Sequence, residues 1–319
     1  MSLDLRPLSI GELFDRAFML YRRHFWLFVG ITALPGVFAL AMTLMQQGLQ
    51  SAVVLPAAGD AEGQAAVGRQ VITIVLLFAG MMVALVIYAV VYMIALGATT
   101  LAVSELYVGR PATIVQVYRQ VRSRIGGLIL LMLLIALRIA GLAIGASIVI
   151  GLASAAAAIA GAGGGSAAIV GGLAAIVAIL AMAGGIVFLM LRYAMAVPSL
   201  VLEGLTAPKS IRRSIELTRG RMGRVFLLVL CASMVTYAAM ILLQGPFAAG
   251  AYLSGLDTTR GFWLSIAGTV AGTVGGTLTS PFLVIGLAVL YYDARIREEG
   301  LDVQLALGAL DGPPDPARV

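Results

Sequence analysis

The stretch Gly126–Ala153 reads GGLILLMLLIALRIAGLAIGASIVIGLA and holds one charged residue, Arg138. About 20 mostly apolar residues cross the ~30 Å hydrocarbon layer of a bilayer as a helix. This run exceeds that length and predicts a membrane span. Five more runs meet the same test: Phe25–Met45, Val71–Ala98, Ala168–Leu191, Val225–Leu243 and Phe262–Tyr291. Across the chain, 61% of the 319 residues are hydrophobic and only 11% are charged. A soluble domain carries about a quarter charged residues, and too few polar residues are present here to cover a water-facing surface. The composition excludes a secreted domain, a nucleic-acid reader and a conventional cytosolic enzyme. The expected fold is all-α and polytopic, with six spans in one membrane domain over residues 1–311 and a disordered tail over 312–319.

Charge gives the direction of threading. The formal net charge is +6, from 21 basic and 15 acidic residues. In a membrane protein, basic residues mark cytoplasmic loops. Arg6, Arg16, Arg22 and Arg23 precede the first span, and Arg110, Arg119, Arg122 and Arg124 separate the second from the third. Arg192, Lys209, Arg212, Arg213, Arg219, Arg221 and Arg224 lie between the fourth and fifth, and Arg295, Arg297 and Arg318 follow the sixth. The other three loops hold only Arg69 and Arg260. Both termini are therefore expected in the cytoplasm. The Ala, Gly and Arg content suits a bacterial chain, and hence a bacterial inner membrane. No removable signal peptide is expected, because the first apolar run starts well inside the chain and has the length of a full crossing. A single cysteine, Cys231, rules out an intramolecular disulfide.

Several spans depart from plain cylinders. Pro35, Pro246 and Pro281 would kink helices unless neighbours satisfy the freed carbonyls. Gly141/Gly145 and Gly268/Gly272 have the spacing that lets helix backbones approach closely, for ordinary packing or for a dimer seam. Gly161–Ser166 reads as a short outer turn.

The basic segments repeat. Pro7-x-Ser9-Ile10-x-x-Leu13-Phe14-x-x-Ala17 recurs as Pro111-x-Thr113-Ile114-x-x-Val117-Tyr118-x-x-Val121. A third copy runs Pro208-x-Ser210-Ile211-x-x-Ser214-Ile215-x-x-Thr218. The spacing i, i+3, i+4, i+7 after a hydroxyl residue predicts a capped helix with one less polar face. Ser9/Glu12 forms a capping box and Thr113/Gln116 can do the same. The third copy has Arg213 in the glutamate's place, leaving its cap to Ser210. Three units are expected, at about 7–110, 111–207 and 208–304, each an interfacial helix followed by a helical hairpin. The arginines that follow, Arg22, Arg23, Arg122, Arg124, Arg221 and Arg224, are candidate contacts to lipid headgroups, of anionic lipids above all. Tyr21, His24, Phe25 and Trp26 supply an aromatic anchor. Simple anchoring and a regulatory, lipid-specific site both fit these helices.

Three segments resemble a known family. LRPLSIGELFDRAFMLYRRHFWLFVG from Leu5, AVPSLVLEGLTAPKSIRRSIELTRGRMGRVF from Ala196 and SPFLVIGLAVLYYDARIREEGLD from Ser280 are similar to the glycerophosphoryl diester phosphodiesterase membrane-domain family. The resemblance implies a polytopic helical membrane protein of largely uncharacterised role. Longer relatives fuse this module to a catalytic phosphodiesterase domain. The chain ends soon after Arg297, so the membrane module alone is expected.

Chemistry-bearing constellations are scarce. Phosphodiester hydrolysis of that kind needs paired histidines and a carboxylate cluster for a divalent ion, and His24 is the single histidine. Glu298, Glu299 and Asp302 follow Arg295 and Arg297 and read as a solvated helix face. A phosphate-binding Gly-x-x-x-x-Gly-Lys loop and a Gly-x-Ser-x-Gly elbow are both absent. No catalytic residue, metal or cofactor is expected, and no enzyme activity. Arg138 is the most informative residue: 12 positions beyond Gly126, it lies about 18 Å along its span, near the bilayer centre. There an arginine costs at least ~2.5–3.5 kcal/mol. It either faces a polar cavity for an anion or headgroup, or is satisfied by carbonyls at a broken or tilted helix, with Gln244, Thr277 or Thr279 as companions. Glu105, Glu203 and Asp293, near cytoplasmic ends, are each expected to pair with an arginine. The leading function is a non-catalytic scaffold or partner subunit at the cytoplasmic face, with membrane lipids and membrane proteins or further copies of the chain as partners, and no nucleic acid. The rival is a transporter or lipid-handling protein with a polar cavity around Arg138.

Overall fold

The structure is a computed structural model that describes residues 9–54, 64–161, 165–255 and 258–299. It is 92% helical, with no strand among the described residues. Three pairs of long helices follow one another, the first two each preceded by one short helix and the third by two. First come α1 (Ile10–Arg23), α2 (Phe25–Val54) and α3 (Gln64–Tyr107). Next are α4 (Ile114–Val121), α5 (Ile125–Gly161) and α6 (Gly165–Arg192), with a 3-10 turn at Arg122–Arg124 before α5. Two short helices, α7 (Ala196–Glu203) and α8 (Ala207–Thr218), then lead into α9 (Met222–Leu253) and α10 (Thr258–Glu299). Among the described residues, the six long helices are each long and apolar enough to cross a membrane. The protein is an all-α, multi-pass membrane protein.

The long helices outrun the expected spans. α3 has 44 residues and α10 has 42, so each is over 60 Å long at about 1.5 Å per residue. That is about twice the hydrocarbon thickness. Apolar sequence alone cannot mark where a helix leaves lipid and enters a protein core. The expected outer turn falls largely on residues 162–164, and the tail from Gly312 and Asp302 also lie outside the described residues.

The chain divides into two compact units, Met1–Ile125 with Leu227–Val319, and Gly126–Phe226. In the first, the buried core gathers at one end of the long helices. Leu13 and Ala17 of α1, Val117 and Val121 of α4, Phe28 and Ile31 of α2, Ala98 and Val103 of α3, and Ile285 and Val289 of α10 are all buried. α1 lies on α10, where Phe14 stacks on Phe282 at 6.3 Å and the Tyr21 hydroxyl donates to the Leu278 carbonyl. α4 lies on α2 and α3. Away from that end, Ile72, Leu76, Phe78 and Val83 of α3 are 60–66% exposed, as lipid-facing side chains must be.

Two of the three prolines have their freed carbonyls covered. Pro35 cannot donate to the carbonyl four residues back, Ile31, and the Tyr118 hydroxyl of α4 donates to it instead at 2.7 Å. Pro281 frees Thr277, whose carbonyl accepts the Thr32 hydroxyl at 3.2 Å and the Ser280 hydroxyl at 3.3 Å. The glycine pairs behave differently. A methyl at Gly268 would lie 3.1 Å from Phe247 Cβ, and one at Gly275 would lie 3.1 Å from the Ala239 carbonyl oxygen, so α9 and α10 meet backbone to backbone. Gly141 and Gly145 have nothing within 4 Å of such a methyl.

The cap residues match the sequence in two copies of the repeat, but the reciprocal box is complete only in the first. Ser9 and Glu12 form the full capping box, and the Thr113 hydroxyl accepts the Gln116 amide at 3.4 Å. The third differs. α8 starts a turn earlier, at Ala207 after Thr206, with Pro208 in its first turn, where proline's missing N–H costs nothing. Ser210 is therefore inside the helix, buried, and its hydroxyl donates back to the Thr206 carbonyl at 3.0 Å. The expectation that Ser210 caps this helix is overturned.

Candidate functional site

The second unit contains the most unusual local structure, an interrupted helix. α6 stops at Arg192 and α7 restarts at Ala196. Pro198 explains the gap: in one continuous helix its ring would strike the carbonyl of Ala194, whereas in the first turn of a new helix it is tolerated. The gap leaves backbone groups without helical partners. Ser214 of α8 supplies both: its hydroxyl accepts from the Met195 amide at 3.2 Å and donates to the Arg192 carbonyl at 2.8 Å. Ser214 occupies the repeat position of Leu13 and Val117, and all three are buried. A serine here trades apolar contact for two backbone bonds.

Arg138 of α5 stands at this gap. Its guanidinium lies over the ring of Tyr193, 5.6 Å from the centroid, close enough for a cation–π contact. The side chain is exposed. Nearby, Arg192 lies over Phe188 at 5.5 Å. Of the companions expected for Arg138, none belongs to the same compact unit. Gln244 of α9 packs its carboxamide against Gly272, the Thr277 carbonyl holds the Thr32 hydroxyl, and the Thr279 hydroxyl donates to the Gly275 carbonyl at 2.9 Å. Each is engaged in joining or stabilising helices of the first unit.

α7 and α8 are clamped together. α7 ends at Gly204, whose φ of 70° is the left-handed stop that glycine favours. Arg213 Nε donates to Glu203 Oε1 at 3.3 Å, with side chains 21% and 17% exposed. This accounts for the broken capping box: Arg213, standing where Glu12 and Gln116 stand, turns to the hairpin end instead of to its own helix.

The other two acids also carry arginines. Asp293, with its side chain fully buried, accepts Arg297 Nε on both oxygens at 3.1 and 3.0 Å. Glu105 lies 3.9 Å from the mostly exposed Arg110 and accepts from Gln120 at 3.4 Å. Between them, the rings of Tyr107 and Tyr292 stack at 5.1 Å and the Tyr292 hydroxyl donates to Ser104 at 2.9 Å. A buried polar network thus ties the ends of α3 and α10. Sequence reading did not single out Tyr193, Ser214, Tyr107 or Tyr292. The signals were present in two cases: a polar residue at an apolar repeat position, and Pro198 close behind an aromatic–arginine pair.

The candidate headgroup residues fall into two groups. Arg22, Arg23 and Arg122 are exposed, whereas Arg124, Arg221 and Arg224 are half-buried. Arg221 Nη1 donates to the Leu217 carbonyl near the end of α8, at 3.2 Å. The outward faces of the short helices differ too. α1 exposes Phe18 and Met19, and α4 exposes Val115; Trp26 is 79% exposed and lies edge-on to Phe25. α8 presents Lys209, Arg212, Glu216 and Arg219, a face suited to water. At the α1 end, burial and then the charge of Arg23 hold the His24 imidazole pKa below its ordinary value. Among the described residues, no three His, Cys, Asp or Glu side chains gather as metal ligands.

No family model, curated protein or solved structure matches the chain.

Proposed function

We propose that this protein is a non-catalytic module of a bacterial inner membrane, both termini cytoplasmic, that serves as a scaffold or partner subunit at the cytoplasmic face. The carrying observation is the placement of order. Within each unit, buried side chains and ion pairs concentrate where its short helices pack on its long ones. That arrangement suits a rigid platform held against a leaflet. The exposed arginines of α1 and α4 suit anionic headgroups, and the polar face of α8 suits a protein or a further copy of the chain. The three-copy repeat supports the same reading. So does the glycine-lined contact of α9 with α10, which leaves those helices little room to slide.

Affinity capture from mild detergent tests it, comparing the natural chain with one in which Lys209, Arg212 and Arg219 are changed to glutamate. A membrane protein or a second copy should co-purify at fixed stoichiometry and be lost from the variant, with its melting temperature unchanged. Absence of any stoichiometric partner, together with solute uptake by reconstituted vesicles, would replace this reading with that of a carrier.

A further inference from the structure

We infer that Arg138 binds the phosphate of a membrane lipid at the edge of the hydrocarbon layer, so that the layer begins at Arg138 and is not centred on it. The register of α5 against α6 and α7 carries the argument. A methyl at Gly185 would lie 2.8 Å from Leu142, and one at Gly127 would lie 3.5 Å from Leu200. Between those two levels, Arg138 meets Tyr193, at the point where α6 has just ended.

Outward from this level, Ile139–Ala158 on α5 and Ile169–Phe188 on α6 each give about 20 uncharged residues, about 30 Å of helix. One bilayer crossing is the same length. Centring the layer on Arg138 would instead leave Leu152, Ile169, Val170, Leu173 and Val177, each 58–67% exposed, in water. It would gain four, Leu130, Leu133, Leu137 and Met190, 46–70% exposed, for the lipid. The larger apolar surface decides.

At the phosphate level the guanidinium is suitably presented. Tyr193 occupies its face, which leaves the N–H edge for a planar fork to two phosphate oxygens. Among the described residues, no carboxylate pairs with it. The inference rests on the membrane fold alone and holds for a scaffold or a carrier.

Two measurements test it. Nitroxides placed singly at Leu137 and Ile148, with Cys231 changed to serine, report depth in vesicles of phosphatidylglycerol and phosphatidylcholine. Ile148 should lie near the midplane and Leu137 at the phosphates; the reverse order overturns the placement. Native mass spectrometry should show phosphatidylglycerol retained by the purified protein about tenfold more weakly in Arg138→Leu, the loss expected for one charge-assisted contact. Arg138→Lys should be intermediate, and it decides the matter if the leucine variant does not fold. Equal retention in all three overturns the binding, as does equal stabilisation of the delipidated protein by inorganic phosphate alone.

Discussion

Single hydroxyls hold the two most irregular backbones of this protein. Ser214 closes the gap between α6 and α7, and Tyr118 covers the carbonyl that Pro35 frees. Ser214→Ala should cost about 1–3 kcal/mol, because it strands two backbone groups in a buried place, and the measurement is the unfolding midpoint in mild detergent. Tyr118→Phe should cost about 1 kcal/mol alone. Restoring the missing N–H with Pro35→Ala should shrink that cost, so a double-mutant cycle on the same midpoint should give a non-zero coupling. Additive effects would show that the hydroxyl does not serve the proline. The need for such partners was legible from the prolines. Which residue answers it was not, since Tyr118 lies 87 positions from Ile31 and no local spacing connects them.

At the scale of elements, each short helix seats its apolar stripe on the end of a long hairpin: α1 on α10, α4 on α3, and α8 on α6 and α7. The repeat pattern predicts the stripe, and the same positions are buried in all three copies: Leu13, Val117 and Ser214, then Ala17, Val121 and Thr218. What the pattern could not convey is the polarity of the surface beneath, which in the third copy is a broken helix and selects serine. The glycine pairs make the same point. Spacing alone treats Gly141/Gly145 and Gly268/Gly272 alike, yet only the second pair has a helix against it. Gly275→Ala, aimed at the Ala239 carbonyl oxygen at 3.1 Å, should destabilise by about 1–3 kcal/mol through overpacking. Gly141→Ala, with open space around it, should be neutral or stabilise by up to about 1 kcal/mol through helix propensity. Thermal unfolding of the two variants in one detergent compares them, and equal losses would place an unseen neighbour at Gly141.

For the whole molecule, an even number of crossings requires both ends on one side. Reporter fusions at the two termini should therefore give the same compartment signal, and opposite signals would remove one of the six spans. Lipid as the solvent for most of the surface was determined by the sequence itself, because apolar content and charge-free run length are sums over residues and need no contacts. The caps of α1 and α4 were local for the same reason, each resting on residues three positions apart. Only the tertiary structure decided which apolar residues face lipid and which face protein, since both environments select the same side chains. It also supplied the helix register on which the inferred level of Arg138 rests. Counting along one helix measures distance from that helix's own end, whereas depth depends on where the neighbouring helix breaks, and Tyr193 marks that place.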